Sequence, residues 1–371
     1  MNLIFIMMDG ARLDRIVKGK NYSNLIANSA FFPNTITYAP YTIAALHAVF
    51  SGTYGHKTGV NSYWSSPKFK KDEYELLSSY LQKNGYYTYA DVINDLVLPK
   101  IGFDSFVVHD ELNDDLTVRH KLLLEEMKNK SEQNKDFFLY LHYSNIHTGI
   151  MQEVLKKYDN FSKEYFSKKK ENEKFYDTLF EKADEYLGEM IRHCEKLGLT
   201  ENSLIVVISD HGISIGEKVG ERAYGVYCYD YTLISTALFY HNSLPKKITK
   251  NQIRSIDLLP TILEILSIPI DYNYKPMDGK SLMPIINGNS EERIAFSQSG
   301  NPLTNKQPPK EPNISSIRTD KWKFISNVYN NSEELYDLEN DPFEENNVIK
   351  KYDNIASELR YKLKKILFSG E

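Results

Sequence analysis

Three short runs, residues 3–8, 137–142 and 204–209, are apolar almost without interruption. A strand with one face in water alternates apolar and polar side chains; a strand covered by helices on both faces does not. These runs are therefore read as buried strands of a mainly parallel sheet. The segments between them have a helical period instead. Phe180, Ala183, Leu187, Met190, Cys194 and Leu197 recur every three or four residues, and Gly198 follows as a stop signal. Alternation of this kind predicts an α/β fold: three layers, α/β/α, around a mostly parallel central sheet.

In such folds ligands bind beyond the carboxyl ends of the strands. Two of the three runs end there in an aspartate, Asp9 and Asp210, and the third ends near His142 and His147. After about residue 290 the texture changes. Residues 297–312 are polar and rich in Pro and Asn, and read as a linker or loop. A strand-like run (316–325), an acidic turn (337–342) and an amphipathic stretch (354–368) follow. The expected organisation is a catalytic domain over residues 1–290 and a small C-terminal α+β subdomain over 291–371, packed on it.

Composition excludes several classes. The chain has 371 residues, 41% hydrophobic and 26% charged, which is ordinary for a globular protein with a substantial core. A net charge of −5 creates no field that gathers nucleic acid or acidic lipid. Cys194 and Cys228 make no disulfide framework. Residues 1–10 carry no basic segment, and their apolar run is too short for a signal peptide or a membrane span. The expectation is a cytoplasmic chain without a membrane span.

The chemistry is carried by few residues. Asp210 and His211 stand side by side just past a buried strand, and Asp9 reaches the same crevice from another. Carboxylate plus imidazole suits Zn²⁺ or Mn²⁺ better than Ca²⁺, which prefers oxygen alone. The plainer alternative is that each aspartate caps a following helix. Pro40 and Thr42 mark a helix start, with Thr42 at or near its N-cap. Exposed backbone N–H groups at such an end attract an anion, and a metal-bound hydroxyl there becomes a nucleophile at neutral pH. A plain threonine cap is the alternative.

From end to end the chain resembles the sulfatase-like members of the alkaline phosphatase superfamily. The motifs are IFIMMDGAR (4–12), the threonine-to-Ser51-Gly52 segment with YGHKTGV (54–60), NGYYT (84–88) with GFD (102–104), FFLYLHYSNIH (137–147) and VISDHG (207–212) with Gly216-Glu217. SIDLLPTILEIL (255–266), MDGKSL (277–282), IRTDKWKFI (317–325) and ELYDLENDPFEENN (334–347) complete the series, in the family's order. The resemblance implies that Asp9, Asp210, His211 and Thr42 bind one divalent metal, Mn²⁺ or Zn²⁺ before Mg²⁺ or Ca²⁺. It makes Thr42 the nucleophile as well, and gives His147 the role of binding the anion or protonating the leaving oxygen. Asn94, Lys218 and Arg222 are the residues it offers for contacts to the substrate. His56 reads as a turn residue; His47, His109, His120, His193 and His241 match no site position.

The resemblance also has gaps. Thr42 stands where sulfatases carry the cysteine or serine that becomes formylglycine, and threonine cannot form that aldehyde. Leu46 replaces an arginine, residues 91–96 lack the sulfatase lysine and histidine, and Gly10 replaces a second aspartate. Tyr224 stands where some phosphotransferases have a metal-proximal histidine. Tyr224 thus counts against a transferase, whereas the departures at positions 10, 42, 46 and 91–96 put a phosphomonoester or phosphodiester first, attacked by Thr42 to form a covalent phospho-enzyme that is then hydrolysed or passed to an acceptor. A sulfatase of formylglycine-free mechanism is the second expectation, and a non-catalytic binding protein with a lapsed site is the third. The expected partner is a small-molecule or glycan anionic ester.

Overall fold

The computed structural model describes residues 1–133, 135–155, 163–218, 226–300 and 311–368. Its centre is a sheet of nine strands: β1 Asn2–Met8, β2 Ala30–Ile36, β3 Tyr87–Val92, β4 Ser105–Val108, β5 Phe137–Tyr143, β6 Ser203–Ile208, β7 Ile234–Tyr240, β8 Lys247–Ile248 and β9 Ile253–Arg254. The order is β4-β3-β5-β1-β6-β7-β2-β8, with β9 also on β2. Every pairing is parallel except β6 with β7 and β7 with β2.

The three uninterrupted apolar runs are the three central strands, β5, β1 and β6, and all their residues are buried. Alternate residues of each face opposite cores. Ile4, Ile6, Met8, Leu139 and Leu141 pack with Phe180, Ala183, Leu187 and Met190 of the helix Lys169–Lys196. Phe5, Met7, Phe138 and Tyr140 pack with Leu46, Val49 and Phe50 of the helix Thr42–Ser51 and with the helix Leu258–Ile265. Burial on both faces removes the need for polar alternation, and the predicted three-layer fold follows from it.

A second, antiparallel sheet is formed by β10 Ala295–Ser299, β11 Ile314–Arg318, β12 Trp322–Asn327 and β13 Ser332–Asp337, in that order. Its Phe296, Ile317, Phe324 and Leu335 pack between the helix Asp353–Phe368 and the small residues Ala44 and Ala48 on the back of the helix Thr42–Ser51. The second sheet thus supports the element that carries Thr42. An ion network fastens the two sheets. Asp230 takes Arg318 at 2.9 Å and Lys323 at 2.7 Å, and Lys323 also meets Glu344 at 2.7 Å. All four residues are buried, and Glu344 is pushed up to about 7, chiefly by burial.

Two details differ from the sequence reading. Ser297, Gln298 and Ser299, expected in a loop, are in β10. Their polarity is spent on buried bonds: Ser297 donates to the Thr37 carbonyl at 2.7 Å, and Gln298 accepts the Tyr38 hydroxyl at 2.7 Å. Residues 301–310, the middle of that stretch, lie outside the described residues. No helix among the described residues is long and apolar enough to cross a membrane.

Candidate active site and metal centre

The parallel strands β1 and β6 are neighbours, with Met7 opposite Ile208, so the residues just past them, Asp9 and Asp210, emerge side by side. Gly10 makes the turn after β1. Its φ of 72° is in the region that favours glycine, and a Cβ there would come within 2.5 Å of Ile213 Cδ1. The second aspartate expected of a sulfatase would therefore be strained here. Gly10 N–H instead donates to Asp210 Oδ1 at 3.1 Å, which also accepts the His211 N–H at 2.9 Å. Arg12 braces the turn, donating to the Ile213 carbonyl and to Glu217, both at 2.6 Å. Tyr176 closes it, with its hydroxyl donating to the Gly10 carbonyl at 2.7 Å.

Neither aspartate is a helix cap. The helix after Asp9 starts at Leu13 with Arg12 as its N-cap, and Asp210 accepts from the N–H groups of Gly10 and His211, with His211 Nε2 3.3 Å from its other oxygen. Thr42 is not a cap either. Tyr41, extended at φ −155° and ψ 147°, holds the N-cap position without a side-chain bond, and Thr42 is the first residue of the helix. Thr42 is thus next to the N-cap rather than at it, and the distinction is chemical. The threonine hydroxyl is not spent on its own helix but faces the cluster, 3.3 Å from His211 Nε2 and 3.5 Å from Asp9 Oδ2. The first-turn N–H groups receive no side-chain cap, so they are available to an anion.

Asp9, Asp210 and His211 each offer a ligand atom within 4.8 Å of the others, and all three are buried. Asp9 Oδ1 and Asp210 Oδ2 are buried acceptors with no hydrogen-bond donor. A buried carboxylate oxygen without a donor is costly unless a cation neutralises it. The two carboxyls respond differently to the shared space. Burial pushes Asp9 up, but His147 and His142 outweigh it and hold the carboxyl well below the usual range. Burial pushes Asp210 up, with Asp9 adding repulsion and His211 opposing. A divalent ion fits this set of donors, and one nitrogen with two carboxylates suits a transition metal.

His147 lies on the short helix Asn145–Ile150, a quarter exposed, with Nδ1 3.5 Å from Asp9 Oδ2. Burial lowers its affinity for a proton, but the Asp9 charge prevails and the net direction is upward. The structure also brings in a residue that received no role above. His142, fully buried on β5, has Nε2 3.1 Å from Asp9 Oδ2. It shares its face of the sheet with Phe138 and Tyr140, the face covered by the helix of Thr42. A histidine at the end of an otherwise apolar run was the available signal.

Two of the three substrate-contact candidates, Asn94 and Lys218, are not drawn into this cluster. Asn94 is exposed and accepts the Leu96 N–H at 2.9 Å in its own turn. Lys218 donates to the Glu344 carbonyl and lies 4.6 Å over the Tyr229 ring, in the wall of a cavity of about 990 Å³ that also includes Arg12, Tyr231 and Phe343. Arg222 and Tyr224 lie outside the described residues.

Known proteins are similar to this chain at two levels. A family model described as Sulfatase matches residues 1–268, and one described as N-sulphoglucosamine sulphohydrolase, C-terminal, matches residues 234–368. Arylsulfatase K of Bos taurus is 28% identical over 206 residues, which are 52% of this chain and 36% of that protein. N-acetylglucosamine-6-O-sulfatase of Bacteroides thetaiotaomicron is 27% identical over 177 residues, 46% of this chain and 30% of that protein. The matched region thus spans about a third of the length of these relatives. Among solved structures, a 2-O GAG sulfatase superposes with a TM-score of 0.80 at 18% identity, covering 100% of this chain and 92% of the other. The phosphonate monoester hydrolase of Agrobacterium radiobacter gives 0.75 at 15% identity, covering 100% and 96%. At such identities the superpositions speak for the fold alone. The family model spans most of the chain, including Asp9, Thr42, Asp210 and His211, and the protein belongs to the sulfatase family, within the alkaline phosphatase superfamily.

Proposed function

We propose that the protein is a metal-dependent hydrolase of sulfate esters, with a sulfated sugar as the substrate class, that uses the Thr42 hydroxyl directly as nucleophile. The observation that carries it is the position of that hydroxyl: at the head of a helix, uncommitted to capping, 3.3 Å from His211 and 3.5 Å from Asp9. The family match and the names of the sulfatase relatives support a sulfate ester over the phosphoester that led the sequence reading. A phosphate or phosphonate ester is the second reading. It is favoured by Thr42 itself, because threonine cannot become formylglycine, and by the likeness to the phosphonate monoester hydrolase.

Asp9, Asp210 and His211, with Thr42, would hold one divalent ion, Mn²⁺ or Zn²⁺ first. When bound, it supplies positive charge that lowers the pKa of the Thr42 hydroxyl and offsets charge on the ester's nonbridging oxygens. The rest is done by the chain. The first-turn N–H groups of the helix Thr42–Ser51 bind the ester oxygens. Thr42 Oγ1, its proton released to solvent as the hydroxyl is activated, forms a bond to sulfur as the bond from sulfur to the sugar oxygen breaks. His147 supplies the proton for the leaving oxygen. Water then attacks sulfur as the bond to Thr42 Oγ1 breaks, passing one proton to His147 and the other to Thr42, so that sulfate leaves and both groups are restored. Asn94, Lys218 and Arg222 belong to the proposal as contacts to the rest of the substrate. The division into residues 1–290 and 291–371 is also part of it, the second unit holding up the helix of Thr42 from behind.

The test is turnover of p-nitrophenyl sulfate, p-nitrophenyl phosphate, bis-p-nitrophenyl phosphate and p-nitrophenyl phenylphosphonate with added Mn²⁺ or Zn²⁺. Sulfate turnover that disappears in Thr42→Ala is the expected result. Turnover of phosphorus esters alone, lost in the same variant, would put the second reading first. Sulfate turnover that survives Thr42→Ala would remove the threonine from the mechanism.

A further inference from the structure

A carboxylate that binds a metal has two oxygens, and something must decide which one faces the ion. For Asp9 the two oxygens have different surroundings. Oδ1 has no hydrogen-bond donor and lies on the side of Asp210 and His211. Oδ2 faces the two histidines of the β5 end, His142 Nε2 at 3.1 Å and His147 Nδ1 at 3.5 Å, with the Thr42 hydroxyl also 3.5 Å away. His147 is partly exposed and stands on a short helix. His142 is different. It is fully buried in the centre of the sheet, with Met7 as its neighbour in register. Its ring is held edge-on by Tyr140 and by His109, at centroid distances of 6.3 Å and interplanar angles of 89° and 81°.

The proton of His142 can be placed on chemical grounds. A carboxylate oxygen only accepts, so the contact with Oδ2 needs the proton on Nε2. The other nitrogen, Nδ1, is buried with no partner. An unpaired buried acceptor is tolerated better than an unpaired buried N–H, so Nδ1 carries the lone pair. The result is a rigidly packed imidazole whose Nε2–H donates to one oxygen of one candidate metal ligand.

We infer that His142 is a positioning residue: its Nε2–H holds Asp9 Oδ2, fixing the carboxylate so that Oδ1 is presented to the cation. This rests on the cation assignment made above and adds a residue to it. Outer partners of this kind typically set metal affinity by about 10–100-fold, because they orient a ligand that would otherwise rotate.

The test is isothermal titration of the purified protein with Mn²⁺ and with Zn²⁺, alongside three variants. His142→Leu removes the donor. His142→Gln places an amide N–H near the position of Nε2, and His142→Asn is too short to reach Oδ2. The expected result is about 10–100-fold weaker binding in the leucine and asparagine variants, and affinity within about threefold of the parent in the glutamine variant. If the leucine variant does not fold, the Gln/Asn pair carries the test, and equal affinities in those two overturn the inference. Parent-like binding by a folded leucine variant also overturns it. A parent chain that binds neither ion overturns the cation assignment itself, and so is distinguished from a failure of His142 alone.

Discussion

Two buried clusters of aspartate and histidine lie at the carboxyl ends of the same sheet, and they differ in what their atoms have left to do. One is Asp9, Asp210 and His211, past β1 and β6. The other is Asp91 at the end of β3, His109 just past β4, and His120 on the helix Leu116–Glu132. Both offer three ligand atoms within 4.8 Å of one another, and all six residues are buried. In the second cluster every one of these side-chain atoms has a partner. Asp91 Oδ1 meets His109 Nδ1 at 2.6 Å and His120 Nε2 at 3.2 Å, and Oδ2 accepts Arg119 Nε at 2.7 Å. The remaining nitrogens meet Ser144 Oγ at 3.0 Å and the Tyr186 hydroxyl at 2.6 Å. In the first cluster two carboxylate oxygens have no donor. Residue type and burial are the same in both; hydrogen-bond accounting separates a place for a cation from a closed network. The guanidinium of Arg119 already supplies the positive charge at Asp91 that a metal would bring.

The comparison breaks most visibly at Asp210. Asp210→Asn removes a charged candidate ligand while leaving the acceptor for Gly10 and His211. Turnover of the active ester is expected to fall by about 10⁴-fold, roughly 5.5 kcal/mol at 1.4 kcal/mol per tenfold, and titration with Mn²⁺ or Zn²⁺ should show no tight binding. Stability without added metal should match or exceed the parent, because a buried and poorly compensated carboxyl has been neutralised. A variant with parent-like cation affinity would show that Asp210 is no ligand.

Asp91→Ala should give the opposite pattern. It leaves Arg119 and two buried histidines without their shared acceptor, and removal of one partner from such a network costs about 3–5 kcal/mol. Denaturant unfolding measures this loss, while cation affinity per folded molecule should stay as in the parent. The pH dependence has a definite sign. Burial pushes Asp91 up, but the hydrogen bonds from His109 and His120 hold its carboxyl below the ordinary range. A depressed carboxyl contributes stability that is present above the unfolded value of about 3.9 and is lost as pH falls through the folded value. The gap between parent and variant should therefore be full at neutral pH and narrow only under strongly acid conditions. A gap independent of pH below that range would remove the charged carboxylate from the account.

What was legible in the sequence follows from this difference. Strands buried on both faces leave an unbroken apolar run, so β1, β5 and β6 could be read, and with them the position of Asp9 and Asp210 at their ends. His211 beside Asp210 and Thr42 at a helix start could be read too, and the family motifs gave them their roles. His142 could not be read in the same way. A histidine within FFLYLH looks the same whether it merely packs or donates to a carboxylate 133 positions away. The closed nature of the second cluster was likewise hidden, because Asp91, His109, His120 and Tyr186 meet only through the order of strands and the packing of the helices Leu116–Glu132 and Lys169–Lys196. β10 was missed for a related reason: its polar residues are satisfied by buried partners near residue 38, which no local pattern records.

The smallest expected effect sharpens the comparison at its hinge. Gly10 has a φ of 72°, and a Cβ there would meet Ile213 Cδ1 at 2.5 Å and Cγ1 at 2.9 Å. These are side-chain atoms, but they belong to a fully buried isoleucine with little room to move. Gly10→Ala should therefore cost about 1–3 kcal/mol, the usual range for a residue held in a sparsely populated backbone region, read as a lower unfolding midpoint. If the turn served only the fold, cation affinity would be unchanged in the folded variant. The Gly10 N–H, however, donates to Asp210 Oδ1, and the turn sets the distance between Asp9 and Asp210. Titration should thus show weaker Mn²⁺ binding as well as lower stability, whereas Asp91→Ala lowers stability alone. Loss of stability with unchanged affinity in Gly10→Ala would place this turn with the closed network rather than with the cation site.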